Sequence, residues 1–167
     1  MVNVLVDDAT ARASAAAGAV LDPEVPVLTI ADLGVLRDVT VDAAGRVVVT
    51  VTPTYSGCPA MDVIRRDVER AVRAAGFAHV EVRTVLSPAW TTDWMTDEGR
   101  QALARYGIAP QHRRTSTSGP VLVSLSVRCP QCDSADTREL SRFGSTACKS
   151  MWACNSCLEP FDHFKAF

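Results

Sequence analysis

Cys58-Pro59-Ala60-Met61-Asp62-Val63-Ile64-Arg65-Arg66-Asp67-Val68-Glu69-Arg70-Ala71-Val72-Arg73-Ala74-Ala75-Gly76 is the stretch whose periodicity decides the fold. Met61, Ile64, Val68, Ala71, Val72 and Ala75 form one apolar stripe at helical spacing, and Arg65, Arg66, Glu69, Arg70 and Arg73 cover the opposite face. Pro59 suits a first helical turn and Gly76 suits the position just past the end. An amphipathic helix over 58–75 needs a sheet to cover its stripe, and the flanking sequence supplies one. Residues 35–42 and 46–53 alternate at period two around Asp42-Ala43-Ala44-Gly45 and predict a hairpin, and residues 79–86 alternate again as a third strand. Further out, the Ala-rich residues 10–20 predict a first helix, with Asp8 or Thr10 as cap and Gly18 near its end. Thr96 caps a short helix reaching Tyr106 and closed by Gly107. These elements predict an α+β domain over residues 1–108, a small mixed sheet with helices packed on it.

Residues 109–120, Ala-Pro-Gln-His-Arg-Arg-Thr-Ser-Thr-Ser-Gly-Pro, are polar and rich in turn formers and read as a linker. The segment 121–167 then changes composition and holds five of the six cysteines. A unit of this size is too small to stand on apolar burial alone and needs a staple. The spacing Cys129-x2-Cys132, x21, Cys154-x2-Cys157 provides it. Each CxxC aims two thiolates at one point, and two such knuckles complete a tetrahedral four-sulfur site. The expectation is a small β zinc-ribbon domain with a structural zinc held by Cys129, Cys132, Cys154 and Cys157. Iron in the same four-sulfur site is the alternative metal, and disulfide pairing is the metal-free alternative.

Two cysteines stand outside that set. If residues 146–153 form a strand, Cys148 lies about 20 Å from Cys154 at ~3.3 Å per residue and does not share its metal. It is then either a small half-buried hydrophobe or a reactive thiol, with Lys149 beside it to lower its pKa. Cys58 opens the striped helix, where free N–H groups and the macrodipole favour a thiolate; the alternative is an ordinary buried residue. The three histidines, His79, His112 and His163, are scattered and form no ligand or base pattern.

Charge and composition exclude several classes. Seventeen Lys+Arg against nineteen Asp+Glu give a net charge of −2, without the basic excess of a nucleic-acid binder. Residues 121–167 are themselves balanced: Arg128, Arg138, Arg142, Lys149 and Lys165 against Asp133, Asp136, Glu139, Glu159 and Asp162. Trp152, Phe161, Phe164 and Phe167 suggest an aromatic docking face instead, with some of them filling the small core. No run approaches ~18 apolar residues, so no membrane span is expected. With Asp7 and Asp8 before the Ala-rich stretch, the N-terminus does not read as a secretory signal. A cytoplasmic setting with reduced thiols is expected.

Asp22-Pro23-Glu24-Val25-Pro26, Asp32-Leu33-Gly34-Val35, Thr54-x-x-Gly57-Cys58-Pro59 and Pro88-x-Trp90-Thr91 occur in an order that resembles the SufT-like iron–sulfur assembly family. The C-terminal Phe143-Gly144-Ser145-Thr146-x-Cys148-Lys149, followed by Cys154-x2-Cys157-x-Glu159-Pro160-Phe161-x-x-Phe164-Lys165, is similar to the phenylacetate-degradation branch of that family. The resemblance covers essentially the whole chain. It implies an accessory component of the phenylacetyl-CoA epoxidase system, a multicomponent di-iron monooxygenase, not catalytic alone, that helps mature or insert the iron–sulfur or iron centre of a partner subunit. The implied partners are the oxygenase and the iron–sulfur flavin reductase subunits, without nucleic acid or membrane. A stoichiometric docking subunit is the alternative role. Under the resemblance, Cys58 is the candidate ligand for a transient iron–sulfur cluster or iron, with Asp22, Glu24 and Thr54 near it. One thiol cannot hold a cluster that takes four ligands, so Cys148, a homodimer, a partner or a small thiol must supply the rest.

Overall fold

The computed structural model describes residues 2–111 and 127–165. Helix α1 (Val2–Gly18) leads through a turn-rich segment into strands β1 (Leu36–Val41) and β2 (Arg46–Val51), helix α2 (Met61–Ala74) and strand β3 (His79–Thr84). A 3-10 turn (Thr92–Trp94), helix α3 (Asp97–Arg105) and strand β4 (Ile108–Ala109) follow, then β5 (Thr137–Ser141), β6 (Lys149–Cys154) and β7 (Pro160–Phe164). The expected α+β class is what the chain adopts. No helix among the described residues is long and apolar enough to cross a membrane.

The first sheet has the order β1-β2-β3 and is mixed. β1 and β2 form the antiparallel hairpin, with Val41 opposite Val47. Its turn is built by Asp42, whose Oδ1 accepts from the N–H groups of Ala44 and Arg46, and by Gly45 at φ 76°. β3 returns parallel to β2 after the α2 crossover. Val47, Val49 and Val51 point to one face by strand alternation and are fully buried, as are Val68 and Val72 of α2, with Ile64 nearly so. Burying the three α2 side chains contributes about 5–9 kcal/mol gross, at ~1.5–3 kcal/mol each. α3 follows its expected caps: Thr96 Oγ1 accepts from Gly99 N–H and donates to Asp32 Oδ1, tying the helix to the loop before β1.

Two boundaries differ from the sequence reading. α1 begins at Val2, so Asp8 and Thr10 lie inside it, and Asp8 pairs with Arg12 one turn on. The residues ahead of them hold no helix breaker, so nothing stops the helix there. α2 begins at Met61, not Cys58: Cys58 N–H donates to Tyr55 O and Met61 N–H to Cys58 O, so turns occupy the expected first helical positions.

The second sheet has the order β4-β7-β6-β5. β5, β6 and β7 are antiparallel neighbours, whereas β4 pairs with β7 in parallel, Ile108 beside Asp162 and Ala109 beside His163. The C-terminal sheet thus takes a strand from the segment just after α3. Of the expected linker, residues 112–120, with His112, lie outside the described residues, as do 121–126 and Phe167. A small core of Ala109, Cys129, Cys154 and Phe161 fills the cysteine end of this sheet. Its other end belongs to the main core: Cys148 and Phe164 are buried with Leu28, Ile30 and Trp90, and the rings of Phe164 and Trp90 meet at 5.9 Å. The expectation that some of the C-terminal aromatics fill the core holds for two of them, which narrows the expected docking face. Phe161 and Phe164 are core residues and Trp152 is half-buried, because the ribbon needs its aromatics to pack itself and to dock.

Candidate functional site

Two groups of thiols stand apart. In the first, one ligand atom from each of Cys129, Cys132, Cys154 and Cys157 lies within 4.8 Å of every other. The sulfurs of Cys129 and Cys157 are 3.7 Å apart and those of Cys132 and Cys154 are 3.5 Å apart. A tetrahedral site with zinc–sulfur bonds of ~2.3 Å has edges of about 3.8 Å, so the set fits zinc, while a disulfide needs ~2.05 Å. The two knuckles repeat each other. Cys129 N–H donates to Ser134 O, and Cys154 N–H donates to Glu159 O. The residue after each second cysteine takes the left-handed conformation, Asp133 at φ 59° and Leu158 at φ 65°. This turn aims backbone N–H groups at sulfur. Those of Ser156 and Cys157 both lie 3.4 Å from Cys154 Sγ. The Cys157 and Ser156 donors bring the Cys154 thiol down to about 6, the thiolate form that a metal requires. The ribbon's four sulfurs form a set that fits a structural zinc.

The second group lies at the other end of β6. The turn before that strand is built to present Cys148. Gly144 N–H donates to Lys149 O, Lys149 N–H donates to Thr146 O, and Lys165 N–H donates to Cys148 O. Gly144 allows a close approach, since a Cβ there would come within 2.9 Å of Asp162 Oδ1 and 3.1 Å of Lys149 Cβ and the neighbours would have to give. That close approach seats the turn over an ion pair between buried Lys149 and half-buried Asp162, Nζ to Oδ2 at 3.6 Å. Cys148 Sγ then lies 3.0 Å from Thr146 Oγ1 and 3.6 Å from Glu24 Oε2.

Glu24 belongs to the first unit, and its loop is equally defined. Asp22 Oδ1 accepts from the N–H groups of Glu24 and Val25, both at 2.8 Å, and Asp22 N–H donates to Leu28 O. Asp22-Pro23-Glu24-Val25-Pro26 is thus a side-chain-stapled turn. Asp22 is buried, and burial raises its pKa against the pull of those two N–H groups and of Lys149. Thr54 is buried in the loop after β2, and Cys58 is half-buried three residues before α2. Tyr55, which sequence reasoning missed, hydrogen-bonds Cys58 and is pushed up to about 12 by burial and by the charges of Cys58, Glu24 and Cys148. Its place in the turn, with its carbonyl accepting from Cys58 N–H, is the signal that could have found it. Asp22, Glu24, Tyr55, Cys58, Cys148 and Lys149 therefore share one neighbourhood, drawn from both ends of the chain.

The thiols here are not the ready thiolates that sequence position suggested. Burial raises Cys58, reinforced by Glu24 and Asp22, and outweighs the Ala60 N–H and the Tyr55 hydroxyl. Burial likewise raises Cys148 to about 11; the Thr146 hydroxyl and Lys149 pull the other way and lose. The expected lowering by Lys149 is present but smaller than the cost of burying the thiolate.

Two family models match in tandem. Residues 11–84 match an iron–sulfur cluster assembly protein family, and residues 113–165 match the PaaD zinc beta ribbon domain. An Escherichia coli protein named as one component of a "Putative 1,2-phenylacetyl-CoA epoxidase" is 49% identical over 144 residues, covering 86% of this chain and 85% of that one. An iron–sulfur protein maturation auxiliary factor of Porphyromonas gingivalis is 41% identical over 80 residues, 47% of this chain and 75% of that one. The Bacillus subtilis maturation auxiliary factor YitW is 36% identical over 85 residues, 50% of this chain and 82% of that one. Among solved structures, a domain of unknown function from Bacillus anthracis superposes with a TM-score of 0.57 at 30% identity, covering 60% of this chain and 96% of that one.

Proposed function

The chain belongs to the family of the Escherichia coli epoxidase component, and on that premise we propose that it is an accessory factor of a phenylacetyl-CoA epoxidase that helps load the iron–sulfur or iron centre of a partner subunit. The observation that carries this reading is Cys58: a half-buried thiol outside the zinc site, in a loop walled by the Asp22 turn, Glu24 and Tyr55. The iron–sulfur cluster assembly family model matches residues 11–84, which include it, and the relatives named as maturation factors match about half of the chain. In this reading Cys58 holds the cargo, Glu24 and Cys148 are further candidate ligands, and Asp22 and Thr54 shape the loop. The chain is not catalytic alone, works in the cytoplasm, and meets the oxygenase or the iron–sulfur flavin reductase. It divides into an assembly domain over 1–108, a linker over 109–120 and a ribbon over 121–167.

The deciding experiment is metal and cluster analysis of the reductase and oxygenase subunits produced with and without this chain. Loading several-fold lower without it is the expected result, with the Cys58→Ser chain failing to restore it. Equal loading refutes the role. Exposed Phe143 and Leu158 on the ribbon favour a second reading, a stoichiometric docking subunit. That reading requires stable co-elution with fully loaded epoxidase, and failure to co-elute removes it.

A further inference from the structure

One face of the C-terminal sheet is polar where a small ribbon would be expected to bury apolar side chains. Glu139 pairs with Trp152 and Ser150 with His163 in register, so these four share that face. Arg142 and Phe143, from the turn after β5, and Lys165, just past β7, join them to line a groove of about 370 Å³. Lys165 N–H donates to Cys148 O, which sets the Arg142–Phe143–Lys165 end away from the Trp152–Glu139 row. The floor is fixed by a hydrogen-bonded chain. Trp152 Nε1 donates to Ser150 Oγ at 3.0 Å, Ser150 Oγ lies 3.3 Å from His163 Nδ1, and His163 Nε2 lies 3.2 Å from Gln111 Nε2. The wall is fixed too. Phe143 is 69% exposed, yet its N–H donates to Ser141 Oγ, and Lys165 Nζ sits 4.9 Å over its ring while donating to Arg142 O. Arg142 and Glu139 are both exposed, line this one groove, and form no ion pair with each other or with any described residue. From this arrangement we propose that the groove binds the head of an adenine nucleotide.

The lining selects the ligand. Arg142 and Lys165 call for an anion at one end, and a guanidinium fork suits phosphate oxygens in particular. The Trp152 and Phe143 rings call for a flat, polarisable body between the ends. Glu139 repels a second anionic group and calls for a hydrogen-bond donor at the far end. A bare phosphate leaves the rings and Glu139 unused. A polynucleotide is held by many phosphate contacts, and two cations beside a carboxylate do not supply them. An aminopurine nucleotide meets all three demands: its phosphates face Arg142 and Lys165, its base lies against Trp152 and Phe143, and its exocyclic amine donates to Glu139. The groove's volume falls at the small end of the ~300–1,000 Å³ usual for ligand sites, which suits one nucleotide. Adenosine diphosphate and coenzyme A share this head, and the two arms of the test separate them.

The test is calorimetric titration of the zinc-replete full-length chain, in magnesium-free buffer, with adenosine diphosphate and separately with acetyl-coenzyme A. Saturable binding of one ligand per chain is expected, and the tighter of the two names the source of the head group. Arg142→Gln should weaken that binding at least about tenfold, the worth of a hydrogen bond to a charged group. Phe143→Ala should weaken it at least about fivefold, the worth of a base stacked on an aromatic ring. Inosine diphosphate, which carries an oxygen acceptor in place of the amine, should bind at least about tenfold more weakly than adenosine diphosphate, and Glu139→Ala should erase that preference. All three substituted side chains are exposed, so zinc content and the melting transition should stay as in the wild type, which separates lost binding from lost fold. No binding of either ligand at millimolar concentration overturns the site. So does pyrophosphate binding as tightly as adenosine diphosphate, and so does affinity unchanged by both Arg142→Gln and Phe143→Ala. The loading role is read from the metal content of the partner subunits and stands or falls separately.

Discussion

Replacing Phe164 with alanine separates the ribbon's own stability from its attachment. Phe164 is fully buried, yet its ring packs in the core of the first unit, against Trp90 at 5.9 Å. A buried Phe→Ala change costs ~3–5 kcal/mol in lost transfer and cavity, of which the aromatic pair accounts for ~0.5–1.5 kcal/mol. Cys129, Cys154 and the half-buried Cys157 sit at the opposite end of the sheet, in a separate small core with Ala109 and Phe161, and the exposed Cys132 completes the four-sulfur set. The cost therefore falls on docking, and the undocked fraction should rise at least about a hundredfold, taking ~1.4 kcal/mol per factor of ten. The assay pairs zinc content with the rate at which a thiol reagent labels Cys148 in the native protein. Labelling should accelerate by that factor while one zinc per chain remains bound. Full protection of Cys148, or loss of zinc together with exposure, refutes the reasoning, because either result means that the two cores are not separable.

Three further outcomes follow from the same structure. Cys132→Ser should release the zinc and unfold β5–β7, because metal binding there is folding free energy; a ribbon that keeps its metal and its melting transition contradicts this. Cys148 has its pKa raised from 9.0 to about 11, so the folded state favours the neutral thiol. That stabilisation is complete below pH about 9, is lost as pH climbs to about 11, and should vanish from the pH–stability curve of Cys148→Ala; identical alkaline limbs would refute it. Gly34→Ala should destabilise by about 3 kcal/mol or more, since Gly34 sits at φ 75° and a Cβ would come within 2.6 Å of Trp94 O. A near-neutral melting shift would show that the loop relaxes.

Much of the architecture was legible because it is written in short-range patterns. The α2 stripe, the Asp42–Gly45 hairpin, the Thr96 cap and the paired CxxC knuckles each state their structure within a few residues. What stayed hidden was long-range. Nothing near Cys148 reports that its strand ends against Glu24, because alternation along β6 gives two faces without saying what covers either. Cys58 was legible as a residue of interest, but its protonation was not. Position at a helix start argued for a thiolate, whereas α2 begins three residues later and burial decides the balance. Which of the C-terminal aromatics fill the cores stayed hidden for the same reason: the covering partners of Phe161 and Phe164 lie elsewhere in the sequence.

Strand β6 has a zinc ligand, Cys154, as its last residue, and Cys148 immediately precedes its first. A six-residue strand is a rigid rod of about 20 Å at ~3.3 Å per residue. Whatever clamps one end of such a rod fixes the bearing of the other. The four-sulfur site therefore anchors a lever whose far tip carries a thiol into a different core. Loss of the metal at the knuckles would therefore loosen the bearing of Cys148 as well as the fold around the four sulfurs, so the far end of the rod reports on the near one.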